Sequence, residues 1–237
     1  MGKVVIVINS EIAEKGKVLK RSLVTEKMVT ALKNAIAVNS PFPLTIEVVS
    51  SSGLGPHKQD PDPDSVIYCP LTIQLPHWFN FPGQQVYQAC REIKERQIWV
   101  AKHLSYQTTL DEGPNAGLGD LWLPIVLTAK GPIYAEVIEE GEMPNFYRQP
   151  VDLSDDLRQS LYHLAYQLLE NLAAPPSVYL LQFSLKGKEI IFDRLWPFPA
   201  APALASLMRQ KPDLFTCYWL CLSGQPIFDL RVFPNYF

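Results

Sequence analysis

Short β-branched runs alternate with longer amphipathic stretches along the 237-residue chain, the rhythm of a protein that mixes strands with helices. Residues 4–8, Val-Val-Ile-Val-Ile, read as a buried strand. From Thr25, a candidate helix cap, Met28, Leu32, Ala35 and Ile36 recur on one helical face. Residues 44–49 alternate well enough for a second strand. In the run Asp60-Pro61-Asp62-Pro63-Asp64 the prolines remove backbone donors and the aspartates repel one another, so neither a helix nor a central strand fits. Residues 59–64 therefore read as an acidic, proline-rich linker. The expected organisation is an N-terminal βαβ-like segment over 1–58 and a mixed α/β domain over 65–237.

Beyond the linker, 65–73 reads as a strand. Residues 84–96 read as a helix with Val86, Cys90 and Ile93 facing inward. A short apolar strand over 98–101 ends on Lys102, and 111–119 is a loop by composition. Two strands, 121–129 and 133–138, are expected around Lys130-Gly131-Pro132. The strongest periodicity spans 155–172, where Leu157, Leu161, Leu164, Leu168 and Leu172 form a stripe. Asp152 or Ser154 can cap this helix, and Pro175-Pro176 stop it. Residues 178–184 and 189–193 pair as a hairpin turned near Gly187. A short helix over 203–208 and two strands, 214–222 and 227–233, complete the reading. The fold class is α/β (or α+β).

Composition narrows the function classes. Hydrophobic residues make up 47% and charged residues 19%, values of an ordinary globular chain. A net charge of −3 gives no electrostatic reason for a nucleic-acid partner. No run of about twenty apolar residues exists to span a bilayer, and the opening apolar run, 4–8, is too short for the core of a signal peptide. Cys69, Cys90, Cys217 and Cys221 lie among apolar neighbours without metal-binding spacing, so buried free thiols and a cytoplasmic location are expected.

Candidate chemistry is sparse. His57, His77, His103 and His163 form no metal-ligand spacing. Gly117 and Gly119 make a GxG, but the acids and Pro114 before it argue for turn glycines over a phosphate cradle. Glu136, Glu139, Glu140 and Glu142 could offer carboxylates to magnesium, though such a run is more often a solvated edge. Trp196-Pro197-Phe198-Pro199 could dock a protein partner; a packed corner after the hairpin is the simpler reading.

The order of segments says more than any one of them. Trp99-Val100-Ala101-Lys102 is followed by a glycine-bearing loop, then Tyr134-Ala135-Glu136-Val137-Ile138-Glu139-Glu140, then the long helix. Tyr179-Leu180-Leu181-Gln182-Phe183-Ser184 and Ile190-Ile191-Phe192-Asp193-Arg194-Leu195-Trp196-Pro197-Phe198-Pro199 close the series. Over about 95–205 this layout resembles the ATP-grasp superfamily, and within it the carboxyaminoimidazole ribonucleotide synthetase branch. The resemblance implies ATP and magnesium as cofactors. It assigns Lys102 as the nucleotide-binding lysine, Glu136 and Glu139 to the adenine–ribose hinge, and Gln182 and Asp193 to the two metal positions. The chain departs from the family at Gln182, where a neutral amide stands in place of an acid and is a poorer magnesium ligand. The partner asparagine and the dense glycine of the covering loop are also missing. The leading expectation is a nucleotide-binding or regulatory protein on a degenerate ATP-grasp-like scaffold. The alternatives are an active ATP-dependent carboxylate–amine (or thiol) ligase and a non-catalytic assembly factor. On this reading Gln182 and Asp193 share a face of the hairpin, and Gln182→Glu should strengthen magnesium-dependent nucleotide binding.

Overall fold

The computed structural model describes residues 2–9, 22–55, 66–112 and 117–233. The segment read as a linker, His57 and residues 113–116 of the expected loop lie outside the described residues. Strand β1 (Lys3–Ile8) is central to a parallel three-stranded sheet, between β2 (Thr45–Ser50) and β3 (Val66–Pro70). Because β3 follows residues 59–64 and pairs with β1, that stretch does not separate one sheet from another. Helix α1 (Leu23–Asn39) buries Met28, Leu32, Ala35 and Ile36, as its spacing requires. Its cap is Ser22, whose side chain accepts a hydrogen bond from the Thr25 N–H, so Thr25 lies inside the first turn rather than ahead of it.

Two helices follow, α2 (Gln84–Arg91) and α3 (Ile93–Leu104), where the sequence suggests one helix and then a strand. The break is at Glu92, with ψ 65°. Residues 98–101 are helical because Gln97 and Val100 turn inward at helical spacing, leaving Ile98 58% exposed. A strand core would have hidden that isoleucine. Lys102 consequently sits in the last turn of a helix, not at a strand end.

The larger sheet has seven strands in the order β4-β10-β9-β5-β7-β8, with β6 also paired to β5. Its members are β4 (Gln107–Thr108), β5 (Leu121–Thr128), β6 (Gly131–Tyr134), β7 (Val137–Glu140), β8 (Tyr147–Val151), β9 (Ser177–Lys186) and β10 (Glu189–Trp196). The single strand expected over 133–138 is two, interrupted at Ala135 and Glu136, both halves lying along β5. Strand β8 carries Pro150, whose missing N–H is tolerated at the edge of a sheet. The β9–β10 hairpin turns at Gly187, which has φ +65°.

Helix α4 (Asp155–Asn171) buries Leu161, Leu164, Ala165, Leu168 and Leu169 on one face of this sheet, together with Val86, Cys90 and Val100 of α2 and α3. The opposite face joins the N-terminal layer and α5 (Leu214–Leu222) in a second core. Residues 214–222, expected as a strand, form this helix; Asp213 caps it, accepting from Phe215 N and Thr216 N. A continuous apolar run carries no period, so only the cap distinguished the two readings. Of the other expected strand only β12 (Arg231–Val232) forms, pairing with β11 (Gln210–Lys211) after a 3-10 turn over Ala201–Met208. The hydroxyls of Tyr87 and Tyr218 both donate to Pro70 O, at 3.2 and 3.0 Å, joining α2 and α5 to β3. Phe198 stacks on Tyr87 with centroids 6.0 Å apart, so the Trp-Pro-Phe-Pro segment is a packed corner. Among the described residues no helix is long and apolar enough to cross a membrane.

The four cysteines are free, and burial pushes the thiols of Cys90 and Cys221 up to about 12. Since only the thiolate is nucleophilic, native protein at pH 8 should resist iodoacetamide while denatured chain is alkylated at all four sites, read by intact mass. Leu164→Ala should lower stability by about 2–5 kcal/mol, the range for emptying a buried leucine site. Urea denaturation measures it, and a loss under about half a kcal/mol would contradict the packing of α4.

Candidate functional site

Strand β9 is buried on both faces, and Gln182 lies within its buried run, 5% exposed. In register it stands between Trp122 on β5 and Arg194 on β10. Its amide Nε2 donates to Gly119 O at 2.5 Å, and its Oε1 accepts from Trp196 Nε1 at 2.8 Å. The β9–β10 pairing shifts between Phe192 and Arg194, making Asp193 the extra residue of a β-bulge. Asp193 is 1% exposed. Its Oδ2 accepts from Gly119 N at 3.0 Å, its Oδ1 meets Arg194 Nε at 3.1 Å, and its backbone O accepts from Gln97 Nε2 at 2.8 Å. Gln97 also donates to Thr109 Oγ1 at 2.6 Å, so α3 braces the bulge from behind.

Gln182 and Asp193 both reach the backbone of Gly119, one side chain bonding its C=O and the other its N–H. A side chain at 119 is excluded, because a Cβ there would lie 2.6 Å from Phe183 O. This close approach is the role of the second glycine in the GxG.

The remaining candidates lie elsewhere. Lys102 is exposed on α3, a helix packed against β10 and β4. Glu136 lies between β6 and β7, beyond β9 and β5 in strand order, roughly 14 Å across by strand spacing. It pairs with Arg158 of α4 at 3.3 Å. Glu139 pairs with Arg148 at 3.1 Å and stands opposite Leu121, which in turn stands opposite Phe183. Directly opposed residues share a face, so Glu139 shares the helix-covered face with Leu121 and Phe183. Gln182 shares the other with Trp122 and Ile138.

Whether magnesium suits this donor set can be judged from the bonds already made. Both oxygens of Asp193 have protein partners, Gln182 Oε1 is taken by Trp196, and its nitrogen is a donor that repels a cation. Among the described residues no three His, Cys, Asp or Glu side chains group as a metal would need. The residues do not fit magnesium. A groove of about 940 Å3 between α1, Phe146 and the 3-10 turn at Leu207 and Met208 shares no lining residue with this cluster.

No family model matches the sequence, and no curated protein does. Solved structures do match in three dimensions. N5-carboxyaminoimidazole ribonucleotide synthetase from Thermotoga maritima superposes with TM-score 0.67 at 10% identity, covering 96% of this chain and 77% of that one. N5-carboxyaminoimidazole synthetase from Staphylococcus aureus, solved with ADP, gives TM-score 0.64 at 10% identity, with 98% and 80% covered. A proposed ATP-grasp superfamily protein from Archaeoglobus fulgidus gives TM-score 0.61 at 11% identity, with 96% and 89% covered. The fold is that of the ATP-grasp enzymes. The superpositions show the fold alone, and identities this low leave the chemistry to the residues themselves.

Arg194, Trp196, Gln97 and Gly119 complete the cluster and were not singled out as its members from the sequence. The adjacency of Arg194 to Asp193 was the available signal, but only the bulge lets neighbours in a strand meet through their side chains.

Gly119→Ala should destabilise the protein by about 1–3 kcal/mol, the usual cost of overfilling a packed site. Gln182→Glu should cost about 1–3 kcal/mol as well, since its oxygen would face Gly119 O with no proton between them. This reverses the gain in magnesium binding that the resemblance alone implies. Thermal melts of both variants, with and without magnesium, decide it: a melting temperature for Gln182→Glu that rises above wild type only when magnesium is added would restore the metal-site reading.

Proposed function

We propose that the protein is a non-catalytic binding or regulatory protein on an ATP-grasp scaffold, with a nucleotide as its candidate ligand. The observation that carries this reading is the bonding of Gln182 to the C=O and of Asp193 to the N–H of Gly119. ATP-dependent ligation needs metal ions to offset the charge of the transferring phosphoryl group. Here the side chains in question are already engaged by protein donors and acceptors. Opening the cluster for a metal would leave Gly119 N–H and C=O without partners, which costs about 1–3 kcal/mol for each group left unsatisfied. Solved relatives of this fold hold ADP, which makes a nucleotide the ligand to test first, with the adenine side assigned by resemblance to Glu136 and Glu139. Lys102, on an exposed helical turn, is a weaker candidate for a phosphate contact in this arrangement.

The expected outcome is that purified protein releases no ADP from magnesium–ATP above a no-protein control, with or without small carboxylic acids and amines. Coupled-enzyme or chromatographic ADP detection reads it. Sustained magnesium-dependent ADP release, abolished by Asp193→Asn, would establish the ligase alternative instead.

A further inference from the structure

We propose that the cavity between α2, α5 and the Pro175-Pro176 segment is a binding site for a small neutral phenol, one aromatic ring carrying a hydroxyl. The inference is independent of the nucleotide reading. The cavity shares no lining residue with the Gln182–Asp193 cluster, and its wall includes Tyr179, whose side chain enters the core on the other face of β9 from Gln182.

Several elements meet around it. Strand β3 supplies Pro70, α2 supplies Tyr87, α5 supplies Tyr218, and the connection into β9 supplies Pro175, Pro176 and Ser177. The proline pair that reads from the sequence as a helix stop is thus also a cavity wall. Proline rings are rigid, so the space exists before a ligand arrives and little side-chain freedom is lost on binding. The volume of about 190 Å3 sets the size of the occupant. An apolar cavity of about 150 Å3 accepts benzene, so one ring with one small substituent fits.

The polar groups on the wall set its chemistry. The hydroxyls of Tyr87 and Tyr218 both reach Pro70 O, and they lie 3.3 Å from each other. Two protons serve those contacts, so both are used within the trio, and the phenolic oxygens offer a ligand only lone pairs. Ser177 is their counterpart. It is 5% exposed, it lines the cavity, and its hydroxyl has no protein hydrogen bond among the described residues. A buried hydroxyl left without a partner is costly, so this one favours an occupant that bonds it.

Among the described residues that line the cavity none is charged, and burial holds the Tyr87 and Tyr218 hydroxyls well above their ordinary titration range. An ion entering here would lose its water and meet no opposite charge. A phenol matches the wall: its O–H donates to a tyrosine oxygen, its oxygen accepts from Ser177, and its ring lies among tyrosines and prolines. The simpler alternative is a cavity filled by water. Water would satisfy Ser177, but it would also wet the apolar remainder of the wall.

Ligand-observed NMR and calorimetry of the full chain with phenol, toluene and benzoate, rings of similar size, test the proposal. Phenol should bind. Toluene should bind about threefold to tenfold more weakly, the worth of one neutral hydrogen bond. Benzoate should give no signal. Ser177→Ala should weaken phenol by a similar factor and leave toluene unchanged, a split that a general loss of folding would not produce. Leu222→Trp, which adds volume at a half-buried position on the wall, should abolish binding of both rings. Circular dichroism shows whether that variant is folded, and if it is not, the Ser177→Ala split decides alone. No phenol binding at millimolar concentration, benzoate as tight as phenol, or phenol affinity unchanged by Ser177→Ala would each overturn the proposal. None of these results involves ADP or ATP, so they stand apart from the fate of the nucleotide reading.

Discussion

Strand β9 is buried on both faces, and most of the structure follows from that constraint. Val178 and Leu180 enter one core while Tyr179, Leu181 and Phe183 enter the other, so the strand is the wall between the N-terminal layer with α5 and the layer of α2, α3 and α4. A polar side chain on such a strand must find its partners inside the protein, because water is not there to supply them. Gln182 meets that condition by bonding one strand-crossing tryptophan and one loop carbonyl. The loop preceding β5 is thereby fixed to β9, and Gly119 is the residue small enough to let it approach.

The legible parts of the fold were those with a clean period or a clear stop. The leucine stripe of α4, the β-branched run of β1 and the Gly187 hairpin are where the sequence pattern put them. Failures came where an apolar run is short or continuous. Residues 98–101 and 214–222 are helical because of their neighbours and caps, which a strand-like composition conceals. The resemblance in segment order correctly anticipated the ATP-grasp architecture at identities near 10%. It anticipated the convergence of Gln182 and Asp193 as well, although not the Gly119 backbone that both of them bond. A bulge and a loop crossing are tertiary facts with no local signal beyond a glycine, and Gly119 is one of 12 glycines in the chain.

Strand alternation also separates the candidate residues in a way that linear order hides. Glu139 and Gln182 both lie on strands flanking β5, yet their partners there, Leu121 and Trp122, are consecutive and point to opposite faces. Glu136 and Glu139 are engaged by Arg158 and Arg148 on and beside the helix-covered face. Both glutamates are partly buried, with about a third of each side chain exposed. Glu136 and Glu139 thus have charged protein partners on their own side of the sheet, whereas Gln182 and Asp193 are bonded to the backbone of Gly119.

The amide at 182 and the backbone of Gly119, just ahead of β5, make sense only together. A carboxylate has acceptors and no donor, so it could not bond Gly119 O; a glutamine has both, and it bonds Gly119 O through one end and Trp196 through the other. Asp193 keeps its carboxylate because its partners, Gly119 N–H and Arg194, are both donors. Each side chain thus has the polarity that its partner group on Gly119 demands: amide against carbonyl, carboxylate against N–H. A magnesium site at the same place would demand oxygen from both. Replacement of an acid by its amide is a small change in shape, but here it exchanges a ligand for a donor and turns the attraction of the pair from an outside cation to the protein's own backbone.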